Sequence, residues 1–272
     1  MVVNDDGIEA AGIHKLAEAL TEAGDVYVCS PYRQQSASGH GITIRKPVYF
    51  EDVPFAEAKN AIAMEGTPAD CVKIGLNHYR NRGIEMDMVF SGINHGMNLG
   101  TDTIYSGTVA AAVEGSICGL PAAAMSICTN FSIQRAPDHY DIAMKLARQI
   151  AESELFSKRI GEDHNALDIN FIYKEHVILN VNVPDLPPEE IKGVKVCPLS
   201  YQAYIEWYQE EQNDEGRVGY HYSGAPKEVI TGEANDSDIV ANRLGYATVT
   251  PLCFDLTKRN AMETWRRFGW EL

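Results

Sequence analysis

Two adjacent carboxylates, Asp5 and Asp6, follow the apolar pair Val2-Val3 with one residue between, in a chain of 272 residues. If Val2-Val3 ends a strand, the carboxylates stand at the carboxyl edge of a sheet, where open α/β folds bind ligands. Side-by-side carboxylates repel unless a cation neutralises them, and hard oxygen donors suit Mg²⁺ or Mn²⁺. Asn4-Asp5-Asp6-Gly7 is equally good turn chemistry. These residues alone therefore leave metal binding and a plain turn both open.

Two further loops carry polar chemistry. Arg33-Gln34-Gln35-Ser36-Ala37-Ser38-Gly39-His40-Gly41 is rich in small residues, and residues 30–50 contain three bases (Arg33, Arg45, Lys46) and no acid. That local excess suits an anion, although a plain surface loop has the same composition. Ser91-Gly92-Ile93-Asn94-His95-Gly96-Met97-Asn98-Leu99-Gly100 offers neutral oxygens and amides. It leads to Tyr105-Ser106-Gly107-Thr108, where a helix should begin. The first amides of a helix lack internal acceptors and carry the positive end of its dipole, which favours phosphate. Simple capping by Ser106 or Thr108 accounts for the same residues. His40 and His95 are candidate proton carriers, with loop hydrogen bonding as their plainer role.

The elements that must position these loops alternate. A helix with Ile13, Leu16 and Leu20 on one face should stop at Gly24, and residues 26–29 should form a strand broken by Ser30-Pro31. Thr67-Pro68-Ala69-Asp70 carries the signature of a capping box. Strands are expected at 86–90, 122–127, 177–183 and 245–250, with loop over 91–107 and helices over 108–119, 137–156 and 257–268. Strands alternating with helices of this length imply an α/β fold with a mostly parallel sheet. Residues 201–238 break the rhythm, with nine acids, two bases and a turn signal at Asn213-Asp214-Glu215-Gly216. They suggest a solvated hairpin arm, either reaching a neighbouring subunit or lying on the surface. No repeat or low-complexity linker interrupts the chain, so a single domain over 1–272 is expected.

The formal charge is −15, with 38 acids against 23 bases. That excess argues against long nucleic acids and against docking on anionic membrane. Nearly half of it, a net −7, lies in 201–238, so it does not argue against a small phosphorylated ligand. The six cysteines show neither CxxC nor ladder spacing and are expected as reduced, buried thiols. The start of the chain has no signal-peptide pattern and no apolar run reaches a membrane span, so a soluble, cytoplasmic protein is expected. GxGxxG after the first strand, Walker GxxxxGK[ST] and GxSxG are all missing, which weakens dinucleotide, nucleoside-triphosphate and α/β-hydrolase readings.

Taken in order, Asn4-Asp5-Asp6-Gly7, the Ser36 loop, Gly66-Thr67-Pro68-Ala69-Asp70-Cys71-Val72, Ser91-Gly92-Ile93-Asn94, Asn98-Leu99-Gly100 and Tyr105-Ser106-Gly107-Thr108-Val109-Ala110 resemble the SurE (survival protein E) nucleotidases. Asn180-Val181-Asn182-Val183-Pro184 and Thr250-Pro251-Leu252 extend the match almost end to end. The resemblance implies a Rossmann-like three-layer sandwich, with a C-terminal β-hairpin arm and segments exchanged within a homodimer or homotetramer. It implies a phosphatase acting on nucleoside monophosphates, as a 5′- and 3′-nucleotidase, with one divalent metal ion (Mg²⁺ or Mn²⁺). By motif, the metal would be held by Asp5, Asp6, Ser36 and Asn94, and the phosphate by Asn98, Ser106, Gly107 and Thr108. Asp5 and Asp6 would be catalytic, with Asp6 as the base that orients water or, alternatively, an Asp as covalent nucleophile. The first strand is shorter than the family's usual one, and 157–176 and the arm match least. A nucleotide- or polyphosphate-binding regulator without turnover, and an oligomeric scaffold, are the alternative classes.

Overall fold

Alternation along the strands divides the apolar residues into two layers. In β1 (Val2–Val3), Val2 packs into one core and Val3 into the other. Successive strand side chains point to opposite faces, so a strand covered on both sides must be apolar throughout. The structure, a computed structural model, describes residues 1–129, 137–153, 177–205, 208–222, 225–228, 236–268 and 270.

The first core lies under α1 (Ala11–Leu20) and α4 (Asp141–Glu152), with Ile13, Leu16, Phe90, Met125 and Val181 inside it. The second lies under α2 (Pro68–Arg80) and α3 (Gly107–Ile117), with Val72, Tyr79, Val109 and Ile178. Between them run β2 (Tyr27–Pro31), β3 (Phe50–Asp52), β4 (Asn60–Met64), β5 (Val89–His95), β6 (Ala122–Cys128) and β7 (Ile178–Pro184). With β8 (Val194–Val196) and β13 (Ala247–Leu252) they form one nine-stranded sheet, in the order β3-β4-β2-β1-β5-β6-β7-β13-β8. Strands β4, β2, β1, β5, β6 and β7 are parallel, whereas β3 and β13 run against their neighbours β4 and β7. This is the three-layer, Rossmann-like α/β arrangement. The strand order reverses between β1 and β5, and the crevice at such a reversal is where this architecture binds ligands.

Several expected boundaries move. Ser30 and Pro31 extend β2 rather than breaking it, because Pro31 is its last residue and the missing N–H costs only one bond at the strand end. Residues 91–95, expected as loop, belong to β5, and 86–88 lie before it. Pairing with β1 and β6 on either side overrides the poor strand tendency of Ser91-Gly92 and Asn94. Gly92 makes this possible: at φ +133° it accompanies a register shift, and a Cβ there would lie 2.2 Å from the Met125 carbonyl oxygen. Helix α1 ends at Leu20, and Gly24 closes the next turn with its amide to the Leu20 carbonyl at 3.1 Å. Helix α4 begins at Asp141, well after Pro137, because the Asp185 carboxylate takes the Asp138 and His139 amides at 3.0 Å each. The end of the expected helix, 154–156, lies outside the described residues, as does all of 157–176.

The acidic segment is a hairpin of two nested ladders. β9 (Gln202–Ile205) pairs with β12 (Ala225–Glu228), and β10 (Tyr208–Gln212) pairs with β11 (Val218–Tyr222) around the turn at Asn213. Asp238, the last acid of that stretch, is instead buried at the start of α5 (Asp238–Arg243). A final helix, α6 (Arg259–Arg266), stands apart with Trp265, Phe268 and Trp270 exposed and clustered. All six cysteines are unpaired; Cys29, Cys71 and Cys197 are buried, but Cys118 and Cys253 are exposed. Among the described residues, no helix is long and apolar enough to cross a membrane.

Candidate active site

The loop after β1 is shaped by its own side chains. Asn4 spans the turn, donating to the Gly7 carbonyl at 2.8 Å and accepting from the Gly7 amide at 3.3 Å. Ser30 of β2 donates to the same Asn4 oxygen at 2.5 Å, which locks the turn to the neighbouring strand. The geometry lifts Asp5 and Asp6 over the β1/β5 crevice, held differently.

Asp5 is 4% exposed and lies against the N-terminus of α3. The Thr108 hydroxyl donates to its Oδ1 at 2.5 Å. Burial pushes the Asp5 pKa up to about 6; the Thr108 hydroxyl pulls it back, neighbouring Asp6 raises it, and backbone amides lower it further. Asp6 is half-buried and accepts from the His95 amide at 2.9 Å and from Gln34 at 3.3 Å. Its pKa is also raised, first by burial, with the His95 amide and ring and Gln34 opposing. A Cβ on Gly107 would stand 2.9 Å from Asp5 Oδ2 and 2.9 Å from Ser38 Oγ, so only glycine fits the first turn of α3.

The second loop is sewn to this centre at several points. The Gln35 amide donates to the Asp5 carbonyl at 2.7 Å, and the Gly39 amide to the Tyr105 carbonyl at 3.0 Å. Asp70 completes the capping box of α2 with Thr67 and also binds the Thr43 amide and hydroxyl at 2.9 and 2.7 Å. His40 binds the buried Glu114 of α3 at 2.8 Å, and Lys73 of α2 binds the same carboxylate at 2.7 Å. His40 therefore fastens the loop. Ser36 is exposed one residue beyond Gln35, and Arg33, Arg45 and Lys46 are exposed on the surface.

Asn94 is the penultimate residue of β5, next to the His95 amide that binds Asp6; its side-chain amide donates to the Gly96 carbonyl at 2.9 Å, leaving its carbonyl oxygen for another partner. In the sheet ladder Asn94 is opposite Ser126, and Ser126 accepts from the Asn98 side chain at 2.8 Å. Asn98 is clamped further. Its backbone amide donates to Asn182 Oδ1 at 2.8 Å, and its carbonyl accepts from Asn180 and Asn182 at 2.8 and 3.1 Å. The Ser106 hydroxyl is the α3 cap, accepting from the Val109 amide at 3.1 Å. The Ser106 and Thr108 oxygens are thus engaged inside the site, and Gly107 is buried between Asp5 and Ser38.

Asp5, Asp6, the Gln34–Ser38 segment, Asn94, Gly107 and Thr108 therefore meet at one edge, with Asn98 one ladder step away. Among the described residues no group of three or more His, Cys, Asp and Glu converges to hold a metal. The donors on offer are two carboxylates and neutral oxygens, a set suited to a hard divalent ion. This order of loops on this fold is shared with known proteins. The family model described as "Survival protein SurE" matches residues 1–206. The chain belongs to the SurE family. Proteins named 5′-nucleotidase SurE from Petrotoga mobilis and Clostridium botulinum (strain ATCC 19397 / Type A) are each 38% identical to it, the matches covering 95% and 97% of this chain and 94% and 96% of theirs. The counterpart from Picosynechococcus is 37% identical over all of this chain and 97% of its own. The SurE protein from Aquifex aeolicus has the same fold, with a TM-score of 0.72 at 35% identity over 97% of this chain and 96% of its own.

Sequence reasoning missed Gln34, Glu114, Asn182 and Asp238 as parts of the site's frame. A signal for Asn182 was present: Asn180 and Asn182 are polar residues in a strand whose neighbours are Val and Leu. Asp238 binds the Gly100 and Ser200 amides at 2.8 Å each, fixing the segment that follows Asn98.

Proposed function

We propose that this protein hydrolyses nucleoside monophosphates to nucleoside and inorganic phosphate, as a 5′- and 3′-nucleotidase using one divalent ion, Mg²⁺ or Mn²⁺. The observation that carries this reading is the buried Asp5 beside Asp6, facing the glycine at the start of α3. Membership of a family whose curated relatives are named 5′-nucleotidases supports the reaction class.

Asp5, Asp6, Ser36 and Asn94 would hold the ion. The fit rests on the two carboxylates, both disfavoured as anions where they stand, which a cation would relieve. When bound, such an ion supplies Lewis-acid polarisation of a phosphoryl oxygen and makes a nearby water more acidic. Asn98, Ser106, Gly107 and Thr108 form the phosphate end. There the Gly107 amide and the dipole of α3 face the substrate, Ser106 and Thr108 hold that helix start in shape, and Asn98 lines its flank. Asp6, oriented by the His95 amide and Gln34, directs the attacking water and accepts its proton. The new P–O bond forms as the ester bond breaks, and the proton passes on to the nucleoside oxygen. Preorganised donors of this kind are each worth on the order of 3 kcal/mol in the transition state. The partner is a small phosphate monoester rather than a long nucleic acid or a membrane, and the hairpin arm joins copies in a homodimer or homotetramer, in the cytoplasm.

The test is inorganic phosphate release from a panel of 5′- and 3′-nucleoside monophosphates with Mn²⁺. EDTA should abolish release and Mn²⁺ should restore it. Nucleotide binding without release would leave only a regulator.

A further inference from the structure

Ser38 holds a hydroxyl with nothing to bond. Its Oγ is shut off from solvent and has no hydrogen-bond partner. A buried hydroxyl in that condition is disfavoured, and native structures rarely leave one without a purpose. The backbone aims it there. Ala37 adopts φ +57°, a left-handed conformation that a residue with a Cβ rarely takes. The Ser38 amide closes a turn to the Gln35 carbonyl at 3.2 Å, and the Gly39 amide binds the carbonyl of Tyr105, just before the α3 cap. The His40–Glu114 contact then fixes the far side of the turn.

The place so reached is specific. Ser38 Oγ and Asp5 Oδ2 each lie 2.9 Å from the point where a side chain on Gly107 would begin. The hydroxyl therefore stands across the first glycine of α3 from the buried carboxylate. A serine hydroxyl is a rotatable donor, and an oxyanion seated on a helix N-terminus offers the acceptor this one lacks. A left-handed residue at Ala37 beside an unsatisfied donor at Ser38 is what a site ready for its ligand displays.

We infer that Ser38 is a further substrate-binding residue, donating its hydroxyl hydrogen bond to a phosphoryl oxygen seated at the start of α3. The inference rests on the proposed phosphatase reading for its ligand, inorganic phosphate or a phosphate monoester. It adds to the Ser36 assignment, since Ser36 lies on the exposed side of the same turn.

The test uses the full Mn²⁺-loaded chain, with inorganic phosphate as the probe in calorimetry and Mn²⁺ affinity measured separately by electron paramagnetic resonance. Ser38→Ala should weaken phosphate binding by about tenfold or more, as expected for a hydrogen bond to a charged group, and leave Mn²⁺ affinity unchanged. Ser38→Thr, which keeps the hydroxyl, should retain most of the phosphate affinity. Without phosphate, Ser38→Ala should melt no lower than the parent, because it removes an unsatisfied group; a merely structural serine would lower the melting temperature. Unchanged phosphate affinity in Ser38→Ala, or loss of Mn²⁺ binding in parallel, overturns the assignment. If phosphate binding depends on Ser38 while no nucleotide is hydrolysed, the nucleotidase reading fails and Ser38 stands.

Discussion

The hydroxyl of Thr108, on the second residue of α3, donates to Oδ1 of Asp5 at 2.5 Å across 103 positions of sequence. One bond thus orients the buried carboxylate and ties the β1 loop to the helix on the far side of the crevice.

Thr108→Val should remove that donor while keeping the shape. A hydrogen bond to a charged group is worth about 1.5–3 kcal/mol, so kcat/KM for AMP should fall by at least tenfold and Mn²⁺ should bind more weakly. Thr108→Ser should restore most of both. Equal kinetics in Thr108→Val and the parent would show that Asp5 needs no such support.

Gly107→Ala tests the closeness of the helix to the carboxylate. The added methyl would meet Asp5 and Ser38 atoms at 2.9 Å, nearer than a Cβ contact can be. Overpacking of this kind costs about 1–3 kcal/mol of stability. Activity should suffer more than stability: a modest fall in melting temperature with turnover near background. A variant of ordinary activity would mean that the start of α3 lies away from the reaction.

The raised Asp5 pKa gives a pH dependence with a definite sign. Folding holds the proton more tightly, so the metal-free protein keeps this stability below the ordinary carboxylate value of 3.8 and loses it as pH rises through about 6. The loss is on the order of 3 kcal/mol. Urea melts in EDTA should show it between about pH 4 and 6, and Asp5→Asn should flatten the curve over that range. Stabilisation by Mn²⁺ should be larger at pH 7 than at pH 5. A parallel pair of curves for parent and Asp5→Asn would refute the effect.

Glu114 is a buried acid in an otherwise uncharged helix, answered by His40 and Lys73. Its pKa is lowered, by the His40 hydrogen bond first and by Lys73 after burial is offset. Its stabilising effect is therefore present above the ordinary carboxylate range and fades as pH falls below it. Glu114→Gln should lower stability by about 1–3 kcal/mol at neutral pH and expose the 33–46 loop to limited proteolysis. A cleavage pattern identical to the parent's would mean that the Gln35, Gly39 and Thr43 contacts secure the loop without Glu114.

Much of this arrangement was legible in the residues. Asp5-Asp6 after an apolar pair, the Thr67/Asp70 capping box and the Ser106 cap are local features, carried by neighbouring residues, and each stands where the spacing predicts. The rest depends on partners distant in sequence. Strand β4, Asn60–Met64, has alanines that favour helix, and becomes a strand because β2 and β3 pair with it on either side. Asn94 was expected in a loop and lies on β5 because Ser126 is opposite it. No spacing rule brings Ser38 to Gly107, or Asn98 to Asn182.

The division of Val2 and Val3 between the two apolar layers has a consequence for how this protein can change. The Asp5–Asp6 pair follows, after Asn4, a strand of only two residues, each rooted in a different layer. Asp5 and Asp6 therefore inherit their position from both halves of the interior at once. A substitution that softens either half should therefore be felt at Asp5 and Asp6 as well as in the core.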